Sequence, residues 1–240
     1  MTQLDATVGT RDMDDRGEGP VSRRKLLAWA IFVGALIALA YVGNAASPKP
    51  PSDVLYRYST AIAVLVQYAI MGAIVLAISR GVSRETLGFR RPASWPRAAG
   101  LAAASLLAIW AASWALGLFL DADEEQGLLP DGWDSSRANA YFVNFLVIAV
   151  VAPIVEETTY RGLGFAAVRS SFGPVAAVLV TGVAFGLSHG LLLALPVLTL
   201  FGVMLGWLRW KTESLYPPIA LHAVFNAAAL VAAVTIQQSS

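Results

Sequence analysis

The feature that most restricts this chain is a succession of apolar runs, most of them close to the ~20 residues that a helix needs to cross the hydrocarbon of a bilayer. They fall at 26–42, 54–78, 98–120, 138–168, 175–188, 191–208 and 219–236. Composition agrees. Of 240 residues, 57% are hydrophobic and 14% charged, against roughly 45–50% and about 25% in soluble domains. The expectation is an all-α fold, a polytopic transmembrane helical bundle of about seven helices.

Residues 1–22 are polar, mixed in charge and without apolar period, and are expected to be a disordered cytoplasmic tail. Ser22-Arg23-Arg24-Lys25-Leu26-Leu27 resembles a twin-arginine signal, yet the apolar run behind it is longer than the 7–15 residues of a signal core. It is therefore expected to stay as the first transmembrane helix. Residues 23–137 then form a set of N-terminal helices and 138–236 a second unit, with Pro48, Lys49, Pro50 and Pro51 marking the first loop.

Basic residues gather at Arg23, Arg24 and Lys25, at Arg80, Arg84, Arg90, Arg91 and Arg97, and at Arg161, Arg169, Arg209 and Lys211. These positions fall on alternate sides of the expected helices, so the positive-inside rule places the N-terminus in the cytoplasm, in the cell membrane. Asp121, Asp123, Glu124, Glu125, Asp131 and Asp134 then form an acidic external loop, and Ser239 and Ser240 lie outside. The net charge of +1 and the lack of a basic patch argue against nucleic acid as a partner. The chain has no cysteine, which removes disulfides, thiol nucleophiles and thiolate metal sites.

The apolar run 138–168 is interrupted by Glu156 and Glu157, and ionisable groups inside a membrane mark function by default. On a helix the two point about 100° apart, so they cannot both serve one atom. Arg161 stands four residues beyond Glu157, the spacing of a same-face ion pair, which leaves Glu156 free for chemistry. The only histidines, His189 and His222, also lie in apolar segments, with Phe185 one turn before the first and Asn226 one turn after the second. Glu156 to Arg169 spans about 20 Å of helix and Pro174 to His189 about 22 Å, so an antiparallel turn at 170–174 would bring Glu156 and His189 to similar depth. His222, counted from Pro218, is only about 6 Å into the last helix, a shallower position. Gly182, Gly186 and Gly190 would permit close helix approach. Serine chemistry fits poorly, since Ser188 adjoins His189 and neighbours at i and i+1 do not face each other.

The ordered set Glu156-Glu157-x-x-x-Arg161, Phe185-x-x-x-His189 and His222-x-x-x-Asn226 resembles the signature of the CAAX protease and bacteriocin-processing (Abi) family of intramembrane proteases, over about 138–236. The resemblance implies an endopeptidase acting on a membrane-associated peptide or protein in the lipid bilayer. It implies that Glu156, helped by His189, activates a water, and that His222 and Asn226 stabilise the tetrahedral oxyanion. Glu157 with Arg161 would shape the site, and Phe185 would pack beside His189. Family members are often labelled metalloproteases, and zinc held by Glu156, His189 and His222 stays open beside a metal-free, glutamate-activated water. No H-E-x-x-H helix is present, and Glu156 would be both ligand and the evident base, which favours the metal-free form. Two other classes remain: a non-catalytic scaffold or bacteriocin-immunity-type protein with the same fold, and a proton-coupled transporter, which the lack of an inverted repeat disfavours.

Overall fold

The computed structural model describes residues 21–46, 51–119, 130 and 132–236. Most of the expected tail, Pro48, Lys49 and Pro50, the acidic stretch from Asp121 to Glu125 with Asp131, and Ser239 and Ser240 lie outside the described residues. Eight α-helices are present among those residues: α1 (Arg23–Ala46), α2 (Tyr58–Ile78), α3 (Trp95–Gly117), α4 (Ala138–Leu146), α5 (Ala152–Glu157), α6 (Phe165–Leu187), α7 (Leu195–Thr212) and α8 (Tyr216–Ile236). No strand occurs among them.

Helices α4, α5 and α6 are one continuous path, joined by π-helical stretches at Val147–Val151 and Thr158–Gly164. The first has a local cause. Ala152 N–H bonds to Val147 O, an i to i−5 register in which the Ile148 carbonyl would look to residue 153. That residue is Pro153, which has no N–H to give. The second stretch has outside donors inserted into it. Trp29 Nε1 donates to Thr159 O at 3.0 Å, and Arg209 Nε donates to Arg161 O at 3.2 Å. Side chains inserted into the ladder are a recognised cause of such distortions.

The path reverses at Gly173, where φ +83° and ψ 174° are open to glycine and strained for other residues, and Pro174 starts the next rod. The expected count of about seven is not confirmed here. Among the described residues, five helical segments are long and apolar enough to cross a membrane: Arg23–Ala46, Tyr58–Ile78, Trp95–Gly117, the run 135–187, and Tyr216–Thr235. The expected spans 138–168 and 175–188 are two arms of one kinked run, and α7 falls short because Arg209 and Lys211 occupy its last turn. Five such helices, with Leu39, Ile62, Val66, Leu107 and Trp114 exposed along them, describe an integral multi-pass membrane protein.

The second arm of α6 and α7 pack with almost no side chain between them. A Cβ on Gly202 would lie 2.6 Å from Gly182 O, and one on Gly182 would lie 2.6 Å from Val203 Cγ2. Small residues let membrane helices approach in this way. Around that seam the core collects Trp29 and Val33 of α1, Met71 and Val75 of α2, Ile109 of α3, Phe185, Phe201, Leu205 and Leu221. At one end of the bundle Ser214 Oγ donates to Arg90 O (2.6 Å), Leu215 N–H donates to Gly88 O (2.7 Å), and Arg90 and Arg169 both face Glu213. At the other end Asp53, Arg57, Asp134 and Arg137 form a chain of ion pairs that joins the start of α2 to the start of α4.

Two predictions follow from this packing. Gly202→Ala should lower stability by about 1–3 kcal/mol, the usual cost of overpacking, read as the unfolding midpoint of detergent-solubilised protein in a denaturing-detergent titration. Hydrogen bonds from Ser136 and Arg137 lower the Asp134 carboxyl from 3.8 to about 2. A depressed carboxyl stabilises the fold above its ordinary value and ceases to do so as pH falls through the folded one. The Trp133 environment should therefore hold from neutral pH to about 4 and loosen between about 4 and 2, and Asp134→Asn should flatten that transition in Trp133 fluorescence.

Candidate active site

Glu156 and Glu157 end α5, and the helix sends them to different neighbours. Glu157 is wholly buried and its Oε1 accepts from Arg161 Nη1 at 3.2 Å, the i,i+4 pair. Arg161, also wholly buried, donates through Nη2 to Gly202 O at 2.6 Å and lies 4.7 Å over the Phe185 ring. The guanidinium thus ties α5 to the α6–α7 seam. Charge buried in this way persists when each partner is hydrogen-bonded.

Helix α8 brings His222 between the two carboxylates. Its Nδ1 stands 2.9 Å from Glu157 Oε1, and a carboxylate can only accept, so this nitrogen carries a proton. Its Nε2 faces Glu156 Oε2 at 3.6 Å. Phe185 meets the His222 ring edge-on at 5.6 Å and Phe201 does so at 5.1 Å, which leaves the imidazole 3% exposed. Of the two glutamates, Glu156 is the open one, with a side chain 14% exposed. The shallower depth counted for His222 is made up by geometry: α8 begins at Tyr216, and Arg169, well past Glu157, is already level with Glu213 in the α7–α8 turn.

His189 reaches this group through Phe185. Its ring lies 4.7 Å from the Phe185 ring, and its Nδ1 is 2.8 Å from Phe185 O. A carbonyl accepts, so Nδ1 donates, and Nε2 is the nitrogen left for other work. Ser188 Oγ gives its proton to the same carbonyl at 2.8 Å, so serine and histidine are not aimed at each other.

Asn226 sits one turn beyond His222 but its amide is directed elsewhere. Its Nδ2 donates to Ile148 O at 3.0 Å, the carbonyl that the π register turns toward Pro153. It thereby satisfies a buried acceptor that the backbone leaves open, and one amide N–H and the amide oxygen remain. Among the described residues no three His, Asp or Glu side chains are gathered as a metal ion requires. Of Glu156, His189 and His222, the first and last face each other, His222 Nε2 to Glu156 Oε2 at 3.6 Å, while His189 Nδ1 is held by the Phe185 carbonyl.

Three contributors carried no signal in the motifs. Tyr68 of α2 donates its hydroxyl to Glu156 Oε1. Arg209 of α7 is buried against the Phe165 ring at 5.2 Å and donates to Thr86 O at 3.3 Å as well as to Arg161 O. Phe201 packs on His222. The one hint available was a hydroxyl midway along the apolar run 54–78.

Residues 138–228 match the model of a family described as type II CAAX prenyl endopeptidase Rce1-like. A protein of Bacillus subtilis (strain 168) named "Putative membrane peptidase YdiL" is 25% identical over 211 residues, which cover 82% of this chain and 79% of that protein. No solved structure matches. The matched stretch runs from the start of α4 to Ala228 in α8 and contains every residue of the three motifs, so the resemblance read from those motifs is borne out.

Removing one member of the buried ion pair should be costly and removing both less so. Arg161→Met leaves Glu157 buried without its guanidinium and should cost about 3–5 kcal/mol. The double change with Glu157→Gln should recover part of that loss in the same denaturing-detergent titration.

Proposed function

From the Rce1-like character of residues 138–228, we propose that the chain is an integral-membrane endopeptidase that hydrolyses a peptide bond of a membrane-associated substrate with a glutamate-activated water. The observation that carries this reading is the unequal state of the two adjacent carboxylates. Glu157 is spent on Arg161 and His222, whereas Glu156 is partly exposed beside the same imidazole.

In the proposed reaction a water held at Glu156 gives that carboxylate its proton as the water oxygen bonds to the substrate carbonyl carbon. His189, fixed through Nδ1, offers Nε2 to orient the water. The oxyanion that develops is met by hydrogen-bond donors, a general source of large rate gains in acyl transfer. His222 serves there when Nε2 also carries a proton, and Asn226 with its second amide N–H. Collapse breaks the C–N bond, and the proton on Glu156 passes to the leaving amine. No step in this proposal runs through a metal, since among the described residues no three ligating side chains are gathered as a metal ion requires.

Orientation follows the basic residues. Arg90, Arg169 and Glu213 share one end of the bundle, and Lys25 Nζ donates to Ile78 O at 2.8 Å at the ends of α1 and α2. The positive-inside rule puts that end, and with it the N-terminus, in the cytoplasm of a cell membrane.

The test is cleavage of quenched fluorogenic peptides by purified protein in proteoliposomes, with and without a prenyl group on a cysteine near the peptide C-terminus. Glu156→Gln should lower turnover by about 10²–10⁴-fold while the protein stays folded, and a chelator should leave the wild type active. Full activity in Glu156→Gln would remove Glu156 as the base. Loss under chelation would restore the zinc alternative. A rate confined to prenylated peptides would identify the substrate class.

A further inference from the structure

The first three helices carry none of the three motifs, and the family match begins after them. Even so, α2 reaches Glu156. Tyr68 lies halfway along α2, on the face that buries Ala61, Met71 and Val75, and its ring joins the main core. Gly72, one turn on, lies beside Val155 of α5, with the place of a Cβ 3.9 Å from Val155 Cγ1. From this position the phenol donates its hydroxyl to Glu156 Oε1, because an ionised carboxylate has acceptor sites alone.

The contact makes the two oxygens of Glu156 unequal. Oε1 is engaged by Tyr68. Oε2 faces His222 Nε2 at 3.6 Å, beyond the ~3.2 Å reach of an N–H···O hydrogen bond. Among the described residues, then, Tyr68 supplies the hydrogen bond that fixes this carboxylate. A glutamate side chain forfeits rotamer freedom when it is held in one conformation, so a donor built into a rigid helix matters to where its oxygens sit.

We propose that Tyr68 is a positioning residue for the hydrolysis: by occupying Oε1 it turns Oε2 toward His222 and makes Oε2 the oxygen that takes the proton of the attacking water. This rests on the endopeptidase reading above. The proton that Oε2 accepts as the O–C bond forms is the one it returns to the amine as the C–N bond breaks. Tyr68 keeps its own proton throughout and acts through Glu156.

Tyr68→Phe tests this, since it keeps the ring in the core and removes the hydroxyl. Two readouts on the same proteoliposomes separate positioning from packing. In infrared difference spectra between acid and neutral pH, the carboxyl band absent from Glu156→Gln belongs to Glu156. In Tyr68→Phe that band should move to higher wavenumber, as a carbonyl does on losing a hydrogen bond. On the peptides that the wild type cleaves, kcat should fall about 10–100-fold with KM within about twofold, the signature of a misplaced base rather than weaker binding. The unfolding midpoint should stay within that of the wild type. An unmoved Glu156 band, or a kcat equal to the wild type, overturns the proposal. A moved band with a wild type that cleaves none of the peptides retains Tyr68 as the residue that orients Glu156 and overturns the endopeptidase reading instead.

Discussion

Two carboxylates side by side in an apolar helix set the terms for the rest of this molecule. Placing a charge in hydrocarbon costs several kcal/mol unless partners and hydrogen bonds replace the water it gives up. The fold meets that cost asymmetrically. Glu157 receives Arg161 from its own helix and His222 from α8, and Arg161 is in turn held by the Gly202 carbonyl of α7. Because Gly202 has no side chain, α6 and α7 close over the guanidinium, and a Cβ there would sit 3.1 Å from Arg161 Nη2. Glu157 Oε1 is held by Arg161 and His222, whereas its neighbour Glu156 remains partly exposed. The seam of glycines and the pair of glutamates are therefore one device: the first makes the second tolerable.

How much of this was legible beforehand depended on whether a contact is local. Glu157 and Arg161 are four residues apart on one helix, and the pair follows from helical geometry. The stacking of Phe185 and His189 is of the same kind. Which ring nitrogen of His222 meets which glutamate depends on how α8 crosses α5, and nothing in the spacing of either helix encodes that crossing. Tyr68 was hidden for another reason: a tyrosine in an apolar span is ordinarily a packing residue, and only the neighbour it meets gives it a different role. Asn226 illustrates a third obstacle. Its partner exists because a π register sends one carbonyl toward a proline, so the contact was set by Pro153, seventy-odd residues away in sequence.

The count of about seven helices is left unconfirmed for a reason of the same sort. Apolar length was read correctly along 138–208, but length does not say whether a run is straight. Gly173 bends the first part back on itself, and the charged last turn of α7 keeps that helix at the edge of the apolar range.

The π stretch that follows Glu157 has a consequence for how this protein divides into parts. Its carbonyls at Thr159 and Arg161 are taken by the indole of Trp29 in α1 and the guanidinium of Arg209 in α7, and Gly164 leaves the space in which the indole sits. The segment bearing the acids is thus stitched at one edge to the beginning of the chain and at another to its later helices. It is not a cassette. Residues 138–228 match a family model by sequence, yet the backbone shape that presents Glu156 is completed by side chains on both sides of the Thr158–Gly164 stretch, one of them outside that window. Grafting the window onto foreign leading helices would carry over the letters of the site and leave behind part of its geometry.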